Sequence, residues 1–375
     1  MNDFLVDPLC IENLLSRDEN KSTIYLDDGR ILHVPYSYIV NILSPEGGLV
    51  EVQVDKLQTG NYIPTPLAVS SYNTVPLDWQ FDYNQKTICY IKIPNIPSIL
   101  SSKLSELLGI LIGDGNVSSQ MGTFSISIGK RDTDYVKYVC DLLYELFNLP
   151  SKIIVDKNNN IQVVLHSVII RSFIEYLGLR KGDTYKNKIV PQCIFLSDTE
   201  CRRSFIRGLF DTDGSIGIGS SSDFSFSCFN IQLARQVQLL LYSVGIVNTL
   251  SKGPANNWQI LLHHTSCKLV YCNLISSSLN FKKERLIKYE EQVKKAKRPG
   301  YRLRLPEPLY KKAFKLIQIY RGKLKRIDFY SWNIGVSAER FLHYYAPHLQ
   351  SVGADVEELC ELSQLFYNKI IDIKE

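Results

Sequence analysis

No apolar run in these 375 residues approaches the ~20 residues that a membrane-spanning helix needs, so an integral membrane protein is not expected. The first residues carry acids early, Asp3 and Asp7, and lack a basic start followed by a long apolar run, so no signal peptide is expected either. Nine cysteines are scattered without one Cys-x-x-Cys pair, which argues against structural zinc and for reduced thiols in an intracellular, reducing compartment. The net charge of +5 is too small to name a partner by itself. What is plentiful is apolar surface: 45% of residues are hydrophobic, enough for sizeable cores, and the length suggests two or three domains.

The charge is unevenly spread. Between Lys282 and Arg326 stand 17 Lys or Arg against four acids, with Tyr289, Tyr301, Tyr310 and Tyr320 interleaved. Such a run is either a solvated helix face or a surface for polyanions.

One stretch is used twice. Residues 104–116 and 205–215 are each a short apolar helix pattern ending in Asp-Gly, and the closing aspartates, Asp114 and Asp213, are 99 positions apart. That spacing marks two copies of one unit, because solenoid repeats have periods of ~20 to 50 residues. Leu104, Leu107, Leu108, Leu111 and Ile112 form one buried helical face. Gly109 and Gly113 lie four apart on another, answered by Gly208 and Thr212. Glycine inside a helix costs ~1 kcal/mol, so two need a reason, and close approach of a second helix supplies it. The two helices are therefore expected to pack directly about a pseudo-twofold axis. Each aspartate then stands at the negative end of its helix, just before the glycine expected to end it in a C-terminal cap. Two carboxylates brought together there invite a divalent cation, and oxygen ligands with shared waters fit Mg²⁺, or Mn²⁺ in its place. Metal ions held this way suit in-line displacement at a phosphodiester.

The rest of the repeat follows the same order twice. Strand Thr123–Ile128 and helix 133–147 are answered by strand 223–228 and helix 231–244; strands 152–155 and 161–166 by 247–251 and 258–263; helix 167–177 by 266–276. Residues 1–67 look β-rich, with a hairpin at 22–34, strands at 36–43 and 49–54, and a turn at 59–61. Residues 68–100 read as a proline-broken connector with one strand at 87–93, placing a boundary near Ser101. After the basic run, helices are expected at 309–320 and 354–365 and a last strand at 365–373. The domains expected are 1–100, 101–298 with halves 101–198 and 199–298, and 299–375. The strands would present Ser125, Ser127, Lys130 and Arg131 from the first half, and Ser225, Ser227 and Asn230 from the second, to a DNA duplex, as β-ribbons do in a major groove.

Leu107–Gly115 and Ile206–Gly214 resemble the paired signature of the LAGLIDADG homing endonucleases. The resemblance covers about residues 101–298. It implies an α+β fold of two pseudo-symmetric αββαββα halves on a saddle-shaped DNA-binding sheet. It further implies a monomeric enzyme that cuts both strands of a long double-stranded DNA site with Mg²⁺. Asp114 and Asp213 match the metal-binding acids, and the carbonyls of Gly113 and Thr212 those that assist them. A lysine near each metal centre would be Lys188, in Lys188-Ile189-Val190-Pro191, and one of the Lys282-Lys283 pair, of which Lys283 is preferred. An RNA maturase acting on a host intron RNA, or a non-catalytic DNA-binding regulator, would share both motifs.

The flanks resemble a second family. Gly29–Pro66 resembles the first half of an intein splicing domain, and Leu365–Ile373 at the far end is similar to an intein segment shortly before its C-terminal splicing blocks. The splicing Thr-x-x-His falls on Pro35-Tyr36-Ser37-Tyr38, Cys10 has a segment upstream of it, and no His-Asn pair closes the sequence at Glu375. A small β-rich, intein-like flanking domain without splicing chemistry is the expectation.

Overall fold

The computed structural model describes residues 21–26, 28, 30–44, 48–58, 61–63, 73–81, 93–117, 123–129, 132–155, 160–179, 182, 186–217, 224–253, 256–263, 265–295, 305, 307–324, 336 and 340–363. The chain divides into two compact units. One comprises Met1–Ala68, His264–Ser266 and Arg298–Glu375; the other, here the central unit, comprises Val69–His263 and Cys267–Lys297.

The first unit opens with two antiparallel hairpins. Strands β1 (Lys21–Tyr25) and β2 (Ile31–Pro35) pair with Tyr25 opposite Ile31. Their turn is tightened by Asp28, which accepts from the Arg30 guanidinium at 2.6 Å. Strands β3 (Ile39–Leu43) and β4 (Leu49–Gln53) pair with Leu43 opposite Leu49. Expected strands 22–26, 30–34, 36–43 and 49–54 are thus found, shifted by one to three residues.

The central unit starts at Val69, upstream of the boundary expected near Ser101. The described part of the connector packs on it: Leu77 N donates to Ser98 O at 2.8 Å, and the Trp79 ring meets Phe173 edge-on at 5.4 Å. The first half runs α1 (Ser102–Asp114), β5 (Gly115–Val117), β6 (Thr123–Ile128), α2 (Thr133–Phe147), β7 (Lys152–Val155), β8 (Ile161–His166) and α3 (Val168–Tyr176). Short α4 (Gln192–Leu196) leads to the second half: α5 (Thr199–Asp213), β9 (Gly214–Ile216), β10 (Phe224–Cys228), α6 (Ile231–Ser243), β11 (Thr249–Lys252) and β12 (Trp258–Leu262). It closes with α7 (Thr265–Val270, in this unit from Cys267 on), a π turn at Tyr271–Ile275 and α8 (Asn280–Lys295). Each half is a helix, a strand pair, a helix, a strand pair and a helix, as the repeat predicts.

The sheets have one topology. The first is ordered β5-β6-β8-β7 and the second β9-β10-β12-β11, every pair antiparallel. Strand alternation puts Phe124, Ile126 and Ile128 on the buried face of β6, and Phe224, Phe226 and Cys228 on that of β10. Val139 and Leu143 of α2, and Val237 and Leu241 of α6, complete the two cores. Each such side chain contributes about 1.5–3 kcal/mol by leaving water.

Helices α1 and α5 form the seam between the halves. Ser101 caps α1 by accepting from Leu104 N at 3.2 Å, and Asp198 caps α5 by accepting from Cys201 N at 2.7 Å. Every residue of α1 from Leu104 to Ile112 is buried, as befits a helix with neighbours on all sides. A methyl group on Gly109 would strike the backbone carbonyl of Phe205, and one on Gly208 the carbonyl of Glu106. The two collisions are related by the 99-residue repeat, so the helices touch backbone to backbone through their glycines.

The glycines after the aspartates have a different reason from the one expected. Gly115 and Gly214 have φ of −82° and −83°, not the left-handed conformation of a C-terminal cap. They begin strands at once. A side chain there would run into Leu111 or Phe210 one turn back.

Among the described residues the first unit also has a 3-10 turn at Val54–Lys56, helices Glu307–Tyr320, Ala346–Ser351 and 357–363, and a π turn at Phe341–Tyr345. Leu43 of β3 joins Leu309, Ile317, Phe341, Tyr345, Leu349 and Leu359 in one core. The expected strands at 87–93 and 365–373, and residues Lys130 and Arg131, lie wholly or almost wholly outside the described residues.

Candidate metal and nucleic-acid site

Asp114 and Asp213 are the last residues of α1 and α5, and the glycine packing brings these two helix ends together. Next to them, a methyl group on Gly113 would collide with the Thr212 side chain, so the two helices are still in contact one residue before the acids. The aspartates feel each other. Burial, and then the charge of Asp114, push the Asp213 carboxyl up to about 7, while Lys188 and Lys282 pull the other way. Asp114 is more open to solvent. Its pKa is also raised, by partial burial, against the same two lysines.

Each lysine is buried against the C-terminal end of one of these helices. Lys188 Nζ donates to Leu111 O at 2.9 Å, Gly113 O at 3.3 Å and Gly115 O at 2.6 Å. Lys282 Nζ donates to Phe210 O at 2.6 Å and Asp211 O at 2.8 Å, and lies 5.3 Å from the centre of the Phe210 ring. Leu111 and Phe210 are equivalent in the repeat, so the two ammonium groups occupy related positions. They add a donor to carbonyls of the last turn, of which Leu111 O and Phe210 O also accept from Gly115 N and Gly214 N, and oppose the negative dipole of the helix end. The preference for Lys283 does not survive. Lys283 is exposed, whereas Lys282, one position earlier on α8, points inward. Burial lowers the Lys282 pKa below its ordinary value, with Asp211, Asp213 and Asp114 opposing.

A buried polar network, unsuspected from the sequence, supports the second lysine. Glu106 Oε2 accepts from Arg207 Nη2 at 2.7 Å and Nε at 3.1 Å; Oε1 accepts from Tyr138 Oη and Ser278 Oγ, both at 2.6 Å. Asp211 Oδ2 accepts from Ser278 N at 3.0 Å, and Oδ1 from Ser277 Oγ. Burial raises the Asp211 pKa. Both acids thus grip the turn that launches α8 and hence Lys282. One signal was available: Glu106 and Arg207 are polar residues inside otherwise apolar helix patterns.

The segment carrying Lys188 is held by other means. Asn230 Nδ2 donates to Lys188 O at 2.8 Å, and Val190 N donates to Gln236 Oε1 at 2.9 Å. Asn230 Oδ1 also caps α6 by accepting from Gln232 N at 2.9 Å. The asparagine expected on DNA is therefore committed to the scaffold. Ser125 and Ser127 stand on the open face of β6, and Ser225 and Ser227 on that of β10, as expected from the alternation.

Among the described residues no three of His, Cys, Asp and Glu cluster as a protein-only metal cage. The donor set still suits a hard divalent ion. It offers two carboxylates at two negative helix ends, with backbone carbonyls adjoining, and leaves other positions to water or a phosphate, the coordination Mg²⁺ prefers. No described helix is long and apolar enough to cross a membrane, and the seven described cysteines, Cys140, Cys193, Cys201, Cys228, Cys267, Cys272 and Cys360, are free thiols.

Comparison with known proteins matches both halves. Residues 104–188 match a WhiA LAGLIDADG-like domain and residues 200–294 a LAGLIDADG-like domain. An A-type ATP synthase polypeptide of Pyrococcus abyssi is 30% identical over 148 residues, 37% of this chain and 14% of that protein. The probable cell division protein WhiA of Staphylococcus carnosus is 26% identical over 132 residues, 34% of this chain and 41% of that protein. This chain thus spans less than half the length of either relative. The crystal structure of I-DmoI in complex with DNA and Ca is similar at 17% identity and a TM-score of 0.39, covering 50% of this chain and 98% of that one. The chain carries two LAGLIDADG-like domains, one in each half of its central unit.

Proposed function

We propose that the central unit is a site-specific endonuclease, hydrolysing phosphodiester bonds in both strands of a long double-stranded DNA target with divalent metal ions. The observation that carries this is the meeting of Asp114 and Asp213 at the ends of two glycine-packed helices, each end flanked by a buried lysine. A fold alone does not need that pairing. Burial and mutual repulsion hold Asp213 near neutrality, a cost that a divalent cation would offset. Asp114 and Asp213 would hold the metal, with the carbonyls of Thr212 and Gly113 as further oxygen donors; Gly113 O is shared with Lys188. Held there, Mg²⁺, or Mn²⁺ in its place, would supply activation of a water and stabilisation of the leaving oxygen.

The chain's own residues do the rest. Lys188 and Lys282 keep positive charge beside the two acids, which favours an anionic phosphate there and steadies the helix ends. The Glu106 and Asp211 bonds fix the turn ahead of Lys282. The open faces of the sheets supply hydrogen-bonding side chains at strand spacing, the arrangement by which strands read a groove. The flanking unit, with proline and tyrosine where a splicing threonine and histidine would stand, we read as an intein-like relic.

A second reading, DNA binding without cleavage, is favoured by the WhiA-type match over 104–188 and by the WhiA relatives. Incubating the purified protein with a randomised duplex library in Mg²⁺ separates the two. We expect selected sequences to be cut in both strands, and cutting to vanish in Asp114→Asn and Asp213→Asn while binding persists. Enrichment of a bound sequence that the wild-type protein never cuts would establish the second reading. Wild-type cutting rates in Asp114→Asn would refute the metal assignment.

A further inference from the structure

The two sheets of the central unit end on unequal edges. Strand β7 is last in the order β5-β6-β8-β7 and β11 last in β9-β10-β12-β11, so among the described residues each pairs on one side only. Their pairings match. Ile153 stands opposite Val163 and Val155 opposite Ile161, as Leu250 stands opposite Ile260 and Lys252 opposite Trp258. Val163 and Ile260 in turn face the buried Ile126 and Phe226. Ile153, Val155, Leu250 and Lys252 therefore lie on the inward side of their sheets, with Ile154 and Ser251 on the outward side.

In the second half that edge is protected. Leu250 is buried, and the next inward position carries a charge, Lys252. An inward-pointing charge is one of the ways by which an edge strand is kept from pairing with another chain. The first half has no such guard. Ile153 is 56% exposed, Ile154 47% and Val155 58%, and Val155 stands where Lys252 stands in β11. Tyr144, in the last turn of α2, is exposed as well, whereas its counterpart in α6, Tyr242, is buried and donates to Asn248 O at 3.1 Å. Strand β7 has no proline, and its register runs unbroken from Lys152 to Val155, so no bulge bends it away. Three adjacent exposed apolar residues on an unpaired edge make a template for a further strand.

This edge is complementary to itself. It reads Lys152-Ile153-Ile154-Val155, and the sequence continues with Asp156. Laid antiparallel on a second copy about Ile154, it sets Ile153 against Val155 and Lys152 against Asp156, each twice, and Ile154 against its own copy. Facing positions are identical or two apart, so the inward side of one copy continues the inward side of the other. Apolar pairs and opposite charges directly across a ladder are the ones that stabilise it. We propose that the β7 edge is a self-association surface: two copies of this chain pair β7 to β7 about a twofold axis at Ile154, joining two four-stranded sheets into one. The contact is isologous and closes at two copies. A four-residue strand buries little area, so the dimer is a weak one that forms as concentration rises. Asp114 and Asp213 both come from one chain, so the association is not needed to complete the metal site and stands apart from the endonuclease reading.

The test is sedimentation velocity of the whole chain, without DNA, over a range of concentrations. The wild-type mass should rise towards that of a dimer. Val155→Lys, which gives β7 the inward charge of β11, should stay monomeric with an unchanged thermal midpoint. Lys152→Glu and Asp156→Lys should each weaken association about tenfold, because each sets like charges face to face twice. Mixed, those two variants should pair with one another as tightly as wild type, since every charged contact is then between opposite signs. That rescue keeps the test independent of how any single variant folds. A wild-type chain that is monomeric at every concentration, or a dimer that Val155→Lys leaves intact, would overturn the surface. Association lost in both charge variants and not restored on mixing would overturn the register about Ile154.

Discussion

The two halves of the central unit reach similar helix ends by different supports. In the first half, Lys188 bonds three carbonyls of the α1 end, and its own carbonyl is held by Asn230. In the second, Lys282 bonds two carbonyls of α5 and depends on a turn gripped by Glu106 and Asp211. The repeat does not extend to this network. Phe205 is the counterpart of Glu106, Leu108 of Arg207 and Ile112 of Asp211. What is shared is what the site requires: an acid, a helix end and an ammonium group. What differs is the scaffold beneath.

The comparison can be broken most sharply at the acids. If both halves hold metal, Asp114→Asn and Asp213→Asn should each reduce cleavage on the order of a thousand-fold, measured by release of linear product. Next in size is the one-sided network. Glu106→Ala leaves Arg207 without its carboxylate and Tyr138 and Ser278 without their acceptor, and should cost about 3 kcal/mol in denaturant unfolding, whereas Phe205→Tyr should not create a matching network in the other half.

The acids also predict a pH dependence. Asp213 is raised to about 7 when folded and titrates near 3.8 when unfolded, so between those values the folded state binds more protons. Stability of the metal-free protein should therefore fall as pH rises through that window, and Asp211 and Asp114, also raised, act in the same direction. Mg²⁺ affinity, followed by calorimetry, should rise over the same window, because the ion needs deprotonated carboxylates. The slope should shrink but persist in Asp213→Asn, because Asp211 and Asp114 still titrate; a slope as steep as wild type would show that the effect does not come from this residue.

Gly109→Ala and Gly208→Ala should each destabilise by about 2 kcal/mol, and by nearly equal amounts, since each methyl meets a backbone carbonyl of the facing helix. Unequal losses would show that the seam is less symmetric than its geometry. Lys188→Met and Lys282→Met should each cost about 1–2 kcal/mol for the lost ammonium–carbonyl bonds and slow cutting of one strand, so that nicked duplex accumulates. Lys283→Ala, at an exposed position, should change neither stability nor cutting.

Much of this fold was legible because its signals are local. The twin apolar helices, their small residues and the strand pairs that follow each show as periodicity within a few turns. The helix at 133–147 and the strands at 152–155 and 161–166 fall where the pattern puts them. The choice between Lys282 and Lys283 was not local. It depends on where α8 begins, and that is set by a turn bonded to residues 66 to 172 positions away. Asn230 looked available for DNA because nothing nearby in sequence reveals its bond to Lys188 O, 42 residues distant.

By itself, the sequence determined that two copies of a helix ending in aspartate exist and that glycines let them approach, because helical period and side-chain size are properties of neighbouring residues. Only the tertiary structure decided which lysine serves the second helix end and why the closing glycines are needed. It also decided that a buried glutamate and a half-buried arginine, 101 positions apart, bridge the halves. Those outcomes depend on burial and on hydrogen-bond partners remote in the chain, and no local pattern encodes them.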